Sequence, residues 1–252
     1  MNINWKKSAI VLIDIVIAVY LVLAITAFNR PDELYNVCSE VKIDIQEGAV
    51  KGFLNPDEIK EQLIRAHLYP LGDPIDHVNL RKIEEALLQN PFVESAQCYK
   101  TQSGRVNINL SQRLPVIRVK SNNGDDYYVD TYGNIMPNTQ YVSNLVIATG
   151  NISRPYAKKV LSRVGNFLIR HKLWYCQAEQ LNVLDDGTIE MIPRVGEHVV
   201  YLGQPTGLSR KFDRLEKFYK YGLSKAGWNK YSYIDIEFNN QIICKKSRKI
   251  KK

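Results

Sequence analysis

Three pairs of neighbouring acids, Glu84-Glu85, Asp125-Asp126 and Asp185-Asp186, are the residue types best suited to general acid and base work. Such work needs carboxylates that converge on one substrate. Side chains next to each other on a helix do not face one another, and both Asp pairs fall where the chain is expected to turn, so these acids read as solvated. Nucleophiles and metal ligands are equally dispersed. Cys38, Cys98, Cys176 and Cys244 stand 60 to 78 residues apart without a CxxC pair, and His67, His77, His171 and His198 fall in no ligand spacing. An oxidising compartment permits a bridge, while the simpler reading is small, buried apolar side chains. GxSxG, HExxH, GxxxxGK[ST] and GxGxxG are all absent. The sequence offers no catalytic, cofactor-binding or metal-binding residues, and the chain is read as a non-enzyme.

The net charge of +8 suggests nucleic acid at first sight. Its distribution argues otherwise: six basic side chains crowd into the last eight residues, and without them the net charge is +2. Lys245–Lys252 therefore reads as a basic tail, either solvated or attracted to anionic lipid or cell-wall polymer. At the other end, residues 8–28 run SAIVLIDIVIAVYLVLAITAF, with Asp14 the one charge. Twenty-one helical residues span roughly 30 Å, the thickness of a hydrocarbon core. The run exceeds the apolar core of a cleaved signal, so an uncleaved membrane helix is expected over residues 8–28, with Ile10, Asp14, Tyr20 and Phe28 as anchor residues in a lipid bilayer. Asp14 either reaches the headgroups or protonates, or contacts another membrane helix. Lys6 and Lys7 before the run place a cytoplasmic tail at residues 1–7 and the bulk of the chain outside, which excludes nucleic acid as a partner. Residues 29–37 are then a linker.

What must position any site is an α+β fold. Val41, Ile43 and Ile45 alternate with charged residues, as in a half-buried strand. Asn55-Pro56-Asp57-Glu58 starts a helix by capping, fixed φ and favourable dipole charge, and Ile59, Leu63 and Ala66 form its face. Asn79 caps a second helix with a stripe of Leu80, Ile83 and Leu87, stopped at Asn90-Pro91. Strands follow at Phe92–Tyr99 and across Val106, Ile108 and Leu110. The order over residues 38–112 is β-α-α-β-β, a three-stranded sheet with two helices on one face. Residues 113–244 read as a mostly antiparallel β-domain with two helices, Ser153–His171 and Ser209–Ala226, the second burying Phe212, Leu215 and Tyr219. The last strand carries Ile234, Ile236 and Phe238.

The β-α-α-β-β unit after one apolar helix looks like a POTRA domain, a protein-docking module. Asn90-Pro91-Phe92-Val93 resembles the end of its second helix, and Gln112-Arg113-Leu114-Pro115 resembles the Glu-Arg-x-Pro junction of FtsQ/DivIB cell-division proteins, with Gln in place of Glu. Tyr127-Tyr128-Val129-Asp130-Thr131-Tyr132-Gly133 resembles that family's hydrophobic-Val-Asp-x-x-Gly opening of its β-domain. Tyr231 to Cys244 is similar to its closing strand, with Glu237 where Arg is common. The resemblance runs from the N-terminal helix to the tail.

The resemblance implies a non-catalytic, single-pass scaffold of the division complex, located in the bacterial inner membrane at the septum with its bulk periplasmic. Its implied partners are FtsB/DivIC-type and FtsL-type proteins and other divisome membrane proteins, and its implied role is to help control septal peptidoglycan synthesis. The expected mode is strand addition to a sheet edge, from Tyr233 to Ile243. The expected partner-binding residues are Tyr219, Tyr231, Tyr233, Ile234, Asp235, Ile236, Phe238, Gln241 and Ile242, with core packing the competing role for Ile234, Ile236 and Phe238. A POTRA-bearing assembly or secretion protein, an anchored cell-wall enzyme and a structural periplasmic protein are the rival readings.

Overall fold

The computed structural model describes residues 5–28, 37–46, 54–139 and 145–247, with side chains in the first helix over residues 12–25. That helix, α1, spans Trp5–Phe28. The expectation that residues 8–28 cross a membrane is overturned: among the described residues, no helix is long and apolar enough to do so. Of the four expected anchor residues, Asp14 and Tyr20 are exposed, and the side chains of Ile10 and Phe28 lie outside the described residues.

The chain divides into two compact units, one made of Met1–Lys42, Pro70–Asn79 and Tyr99–Asn107, the other of Ile43–Tyr69, Leu80–Cys98 and Ile108–Lys252. In the first, backbone bonds tie Cys38 to Asp73 at 2.8 Å and Ser39 to Gly104 at 2.9 Å. Burial pushes the Cys38 thiol above its ordinary pKa.

The expected β-α-α-β-β order is present as β1 (Glu40–Gln46), α2 (Pro56–Arg65), α3 (Leu80–Leu88), β2 (Val93–Lys100) and β3 (Arg105–Gln112), with sheet order β1-β3-β2. The side chain of Asn55 accepts from the Asp57 N–H, Pro56 occupies the first turn, and Ile59 and Leu63 are buried, as the sequence predicts. Gln62 fastens α2 to α3 by donating to Ala86 O at 3.0 Å and accepting from Asn90 Nδ2 at 3.0 Å.

In the larger unit, β4 (Pro115–Ser121), β5 (Asp126–Asp130) and β6 (Ile135–Pro137) form a meander, and β7 (Ile147–Gly150) follows. Helix α4 runs from Arg154–Tyr156 through a π-helical turn, Ala157–Leu161, into Ser162–Arg170, and α5 is Lys172–Gln177. Strands β8 (Ala178–Val183), β9 (Ile189–Pro193) and β10 (Val199–Gly203) come next. Helix α6, Leu208–Phe218, also ends in a π-helical turn, Tyr219–Leu223, before Ser224–Ala226. The chain then forms β11 (Tyr231–Asp235) and β12 (Ile243–Lys246).

The nine strands lie in the order β12-β11-β10-β9-β8-β7-β4-β5-β6. The pairs β4–β7, β7–β8 and β10–β11 are parallel and the rest antiparallel. Parallel neighbours need a crossover, which explains why two helices interrupt an antiparallel sheet: α4 links β7 to β8, and α6 links β10 to β11. Both cover the same face. Leu161, Val164 and Leu168 of α4 and Phe212 and Leu215 of α6 share one core with Val119, Leu181, Met191, Val200 and Ile234. The Phe167 and Phe212 rings lie 5.0 Å apart, and Trp174 meets Phe212 edge-on at 4.9 Å. Phe167 is half-buried, while each fully buried side chain of this core contributes about 1.5–3 kcal/mol of hydrophobic stabilisation.

Candidate partner-binding edge of the sheet

The run expected to be one closing strand is two. Asp235 Oδ1 accepts the Glu237 N–H at 2.8 Å, which turns the chain out of β11, and Asn240 takes a left-handed φ of 62° before β12 begins. Asparagine tolerates that conformation better than most residues. The strand at the sheet's end is therefore β12, and β11 lies inside it. Lys245 and Lys246, expected in a solvated tail, belong to this edge strand. Charged side chains are a common means of keeping an exposed edge from indiscriminate pairing.

Direction along β12 follows from its bonds. Ser247 donates its N–H to Lys230 O at 3.0 Å, so it faces inward. Alternation along a strand then turns the backbone polar groups of Lys245 inward as well and those of Lys246 outward. Cys244, paired with Ile234, packs against the core, and burial raises its thiol pKa. Ile243 opposite Asp235 is 50 % exposed.

The structure sorts the expected contact residues into three groups. Ile234 and Ile236 are fully buried in the core, and their backbone is already engaged: Ile234 lies between Val200 and Cys244, and Ile236 donates its N–H to Tyr201 O and accepts from Arg214. Tyr231, Tyr233 and Asp235 are half-buried on β11. The Tyr233 ring stacks at 6.1 Å on Tyr201, and its hydroxyl donates to Glu190 Oε1 at 3.4 Å. Burial, reinforced by Glu190, pushes the Tyr233 phenol up to about 12. Phe238, 49 % exposed, and Gln241 sit in the turn, and Ile242 packs against the core.

Tyr219 is separate from all of these. It is buried in the π-helical turn of α6 and bonded to the His198 Nε2 at 2.7 Å. Its ring meets Trp228 edge-on at 5.2 Å. With Leu173, Val195 and Trp228 it lines an apolar groove of about 460 Å³ beside Glu216 and Lys220. The expected edge run, Tyr233 to Ile243, reaches only the first residue of β12; Lys245 and Lys246 extend it, and the Asn239-Asn240 pair, a strong turn signal, marks the break between β11 and β12.

Among the described residues, no group of three or more His, Cys, Asp or Glu side chains is placed to hold a metal ion. The paired acids have structural partners. Asp126 takes a two-pronged bond from Arg118 at 2.7 and 2.9 Å, which holds its pKa below the ordinary range. Asp186 caps Thr188 and is lowered by those bonds. Glu84 accepts the Cys98 N–H at 2.7 Å.

Residues 36–111 match the family described as POTRA-like domain, and residues 114–245 match that described as FtsQ/DivIB, C-terminal related. The chain is 25 % identical over 187 residues to the cell division protein FtsQ of Geotalea daltonii, an alignment that covers 69 % of this chain and 66 % of that relative. The chain thus spans just under two thirds of the length of the curated relative it matches. With its C-terminal half matched from β4 through β12, the chain belongs to the FtsQ/DivIB family.

Proposed function

We propose that this protein is a non-catalytic scaffold of the bacterial division complex, acting at the septum on its extracytoplasmic side. It binds FtsB/DivIC-type and, with them, FtsL-type proteins, and so helps control septal peptidoglycan synthesis. The observation that carries this reading is the free edge of β12 at the end of the sheet in a domain of the FtsQ/DivIB family. A partner's extended segment pairs with the outward backbone of β12, while Phe238, Ile243 and Lys245 supply side-chain selectivity. The match to a cell division protein supports the same biological setting.

The test is co-purification from the native organism, comparing wild type with Lys246→Pro and Phe238→Lys. Proline at residue 246 removes an outward N–H and no inward one. FtsB/DivIC- and FtsL-type proteins should accompany the wild type and be lost with Lys246→Pro, while both variants keep the wild-type circular dichroism. Equal recovery with all three forms places the docking surface away from β12; absence of division proteins from the wild type overturns the scaffold itself.

A further inference from the structure

Arg210, Asp213, Arg214 and Lys217 recur at helical spacing along one face of α6, and with Asn239 and Asn240 they line a cleft of about 460 Å³. The cleft holds three cations against one carboxylate. Among the described residues, none of the three cations forms an ion pair. Arg214 is fixed in place: its Nη2 donates to Ile236 O at 2.6 Å, at the end of β11, and its Nε is buried without a hydrogen-bond partner. Arg210 and Lys217 are exposed one turn to either side. Like charges gathered in a concave site repel each other, and that repulsion is relieved when an anion enters.

The position of the cleft selects the anion. Its far wall, Asn239-Asn240, is the turn that leads into β12, so one end of any strand added to β12 finishes beside it. We propose that the cleft is a subsite for an acidic side chain: an Asp or Glu of the partner segment, just beyond the strand paired with β12, seats its carboxylate among Arg210, Arg214 and Lys217. A planar guanidinium already held by one bond loses little freedom in accepting a carboxylate on its remaining edge. The inference rests on the strand-addition reading above and adds the charge that the partner must carry and where along its segment.

The test measures binding of the full chain to the extracytoplasmic domain of the FtsB/DivIC-type protein, at several salt concentrations. The double variant Arg210→Gln, Lys217→Gln leaves the Arg214 bond intact. It should bind about tenfold more weakly at low salt and show a flatter salt dependence than wild type, with an unchanged thermal midpoint. Wild-type affinity and salt dependence in the double variant, with binding abolished by Lys246→Pro, overturn the subsite and leave strand addition standing. Wild-type binding by both variants overturns both. Vesicles containing phosphatidylglycerol are the second probe. If the double change removes vesicle binding but not partner binding, the cleft takes a lipid phosphate and the proposal is wrong.

Discussion

Arg113 Nη1 lies 2.7 Å from Asp130 Oδ2, with Asp130 1 % exposed and Arg113 18 % exposed. The same guanidinium donates through Nη2 to Val93 O at 3.0 Å, and the Arg113 N–H bonds Phe92 O at 2.8 Å. Asp130 also accepts from the N–H groups of Tyr132 and Asn134 and from Asn134 Nδ2. Three separate stretches that carry the family resemblance, Asn90–Val93, the Arg-x-Pro junction and the Asp-x-x-Gly turn, therefore meet in one hydrogen-bonded knot. Removing one partner of a buried pair leaves the other charge uncompensated, at a cost of about 3–5 kcal/mol. Arg113→Ala should lower the stability measured by urea unfolding by that amount, and Arg113→Lys should recover only part of it because the fork is lost. A loss under about 1 kcal/mol for Arg113→Ala would mean that the pair does not organise this turn.

Gly133 closes the same turn with φ of 85°, and a Cβ there would collide with the Lys158 carbonyl oxygen in the π-helical turn of α4. Left-handed backbone alone costs a side chain about 1 kcal/mol, and a collision with backbone cannot be relieved by a rotamer change. Gly133→Ala should therefore lower the thermal midpoint by several degrees. Gly124→Ala, at a φ of 90° with open space around it, is the control that isolates the backbone cost. Equal effects of the two changes would remove the close approach as the reason for Gly133.

These residues explain what the sequence made legible. Period-3.6 stripes named the faces of α2, α3, α4 and α6 because burial on one helix face leaves a local pattern, and Ile59, Leu63, Ile83 and Leu87 are buried as expected. Strand order leaves no such pattern. The parallel neighbours β7–β8 and β10–β11 follow from how α4 and α6 pack back on the sheet, which no short window encodes. The closing strand was misplaced because Ile234, Ile236 and Phe238 alternate, and alternation outweighed the side-chain cap of Asp235 and the Asn239-Asn240 turn. An apolar run of membrane-spanning length was likewise read from composition, yet the described residues contain no helix long and apolar enough to cross.

His198 is 2 % exposed and bonded through Nε2 to the Tyr219 hydroxyl. Burial holds its pKa below the ordinary value of about 6.5. The unfolded chain therefore takes up a proton before the folded one does. Above about pH 6.5 this histidine leaves stability unchanged. Stability falls as the pH drops from there toward the depressed folded value, because the unfolded state binds more protons. Urea midpoints measured from pH 8 to pH 5 should decline below about 6.5, and His198→Gln should flatten that part of the curve. An unchanged slope in the variant would assign the decline to other groups.

Asp235 sets where β11 stops. Its Oδ1 holds the Glu237 N–H at 2.8 Å, and from there the chain passes Arg214, bonded to Ile236 O, into the Asn239-Asn240 turn and β12. Asp235→Ala removes one side-chain cap, worth about 1 kcal/mol, and global stability should change by no more than that, since Ile234 and Ile236 keep their burial. The larger effect should be local. With the turn loosened, β12 is held by four backbone pairings beginning at Asp235–Ile243, and amide hydrogen exchange at the inward-facing Ile243 and Lys245 should accelerate well beyond that of β8 and β9. A preformed edge costs a partner less ordering than one that must assemble on contact, so the same variant should recover less FtsB/DivIC-type protein although its fold is intact. Faster exchange without loss of the partner would separate the order of β12 from binding; loss of the partner without faster exchange would instead make the Asp235 carboxylate a direct contact.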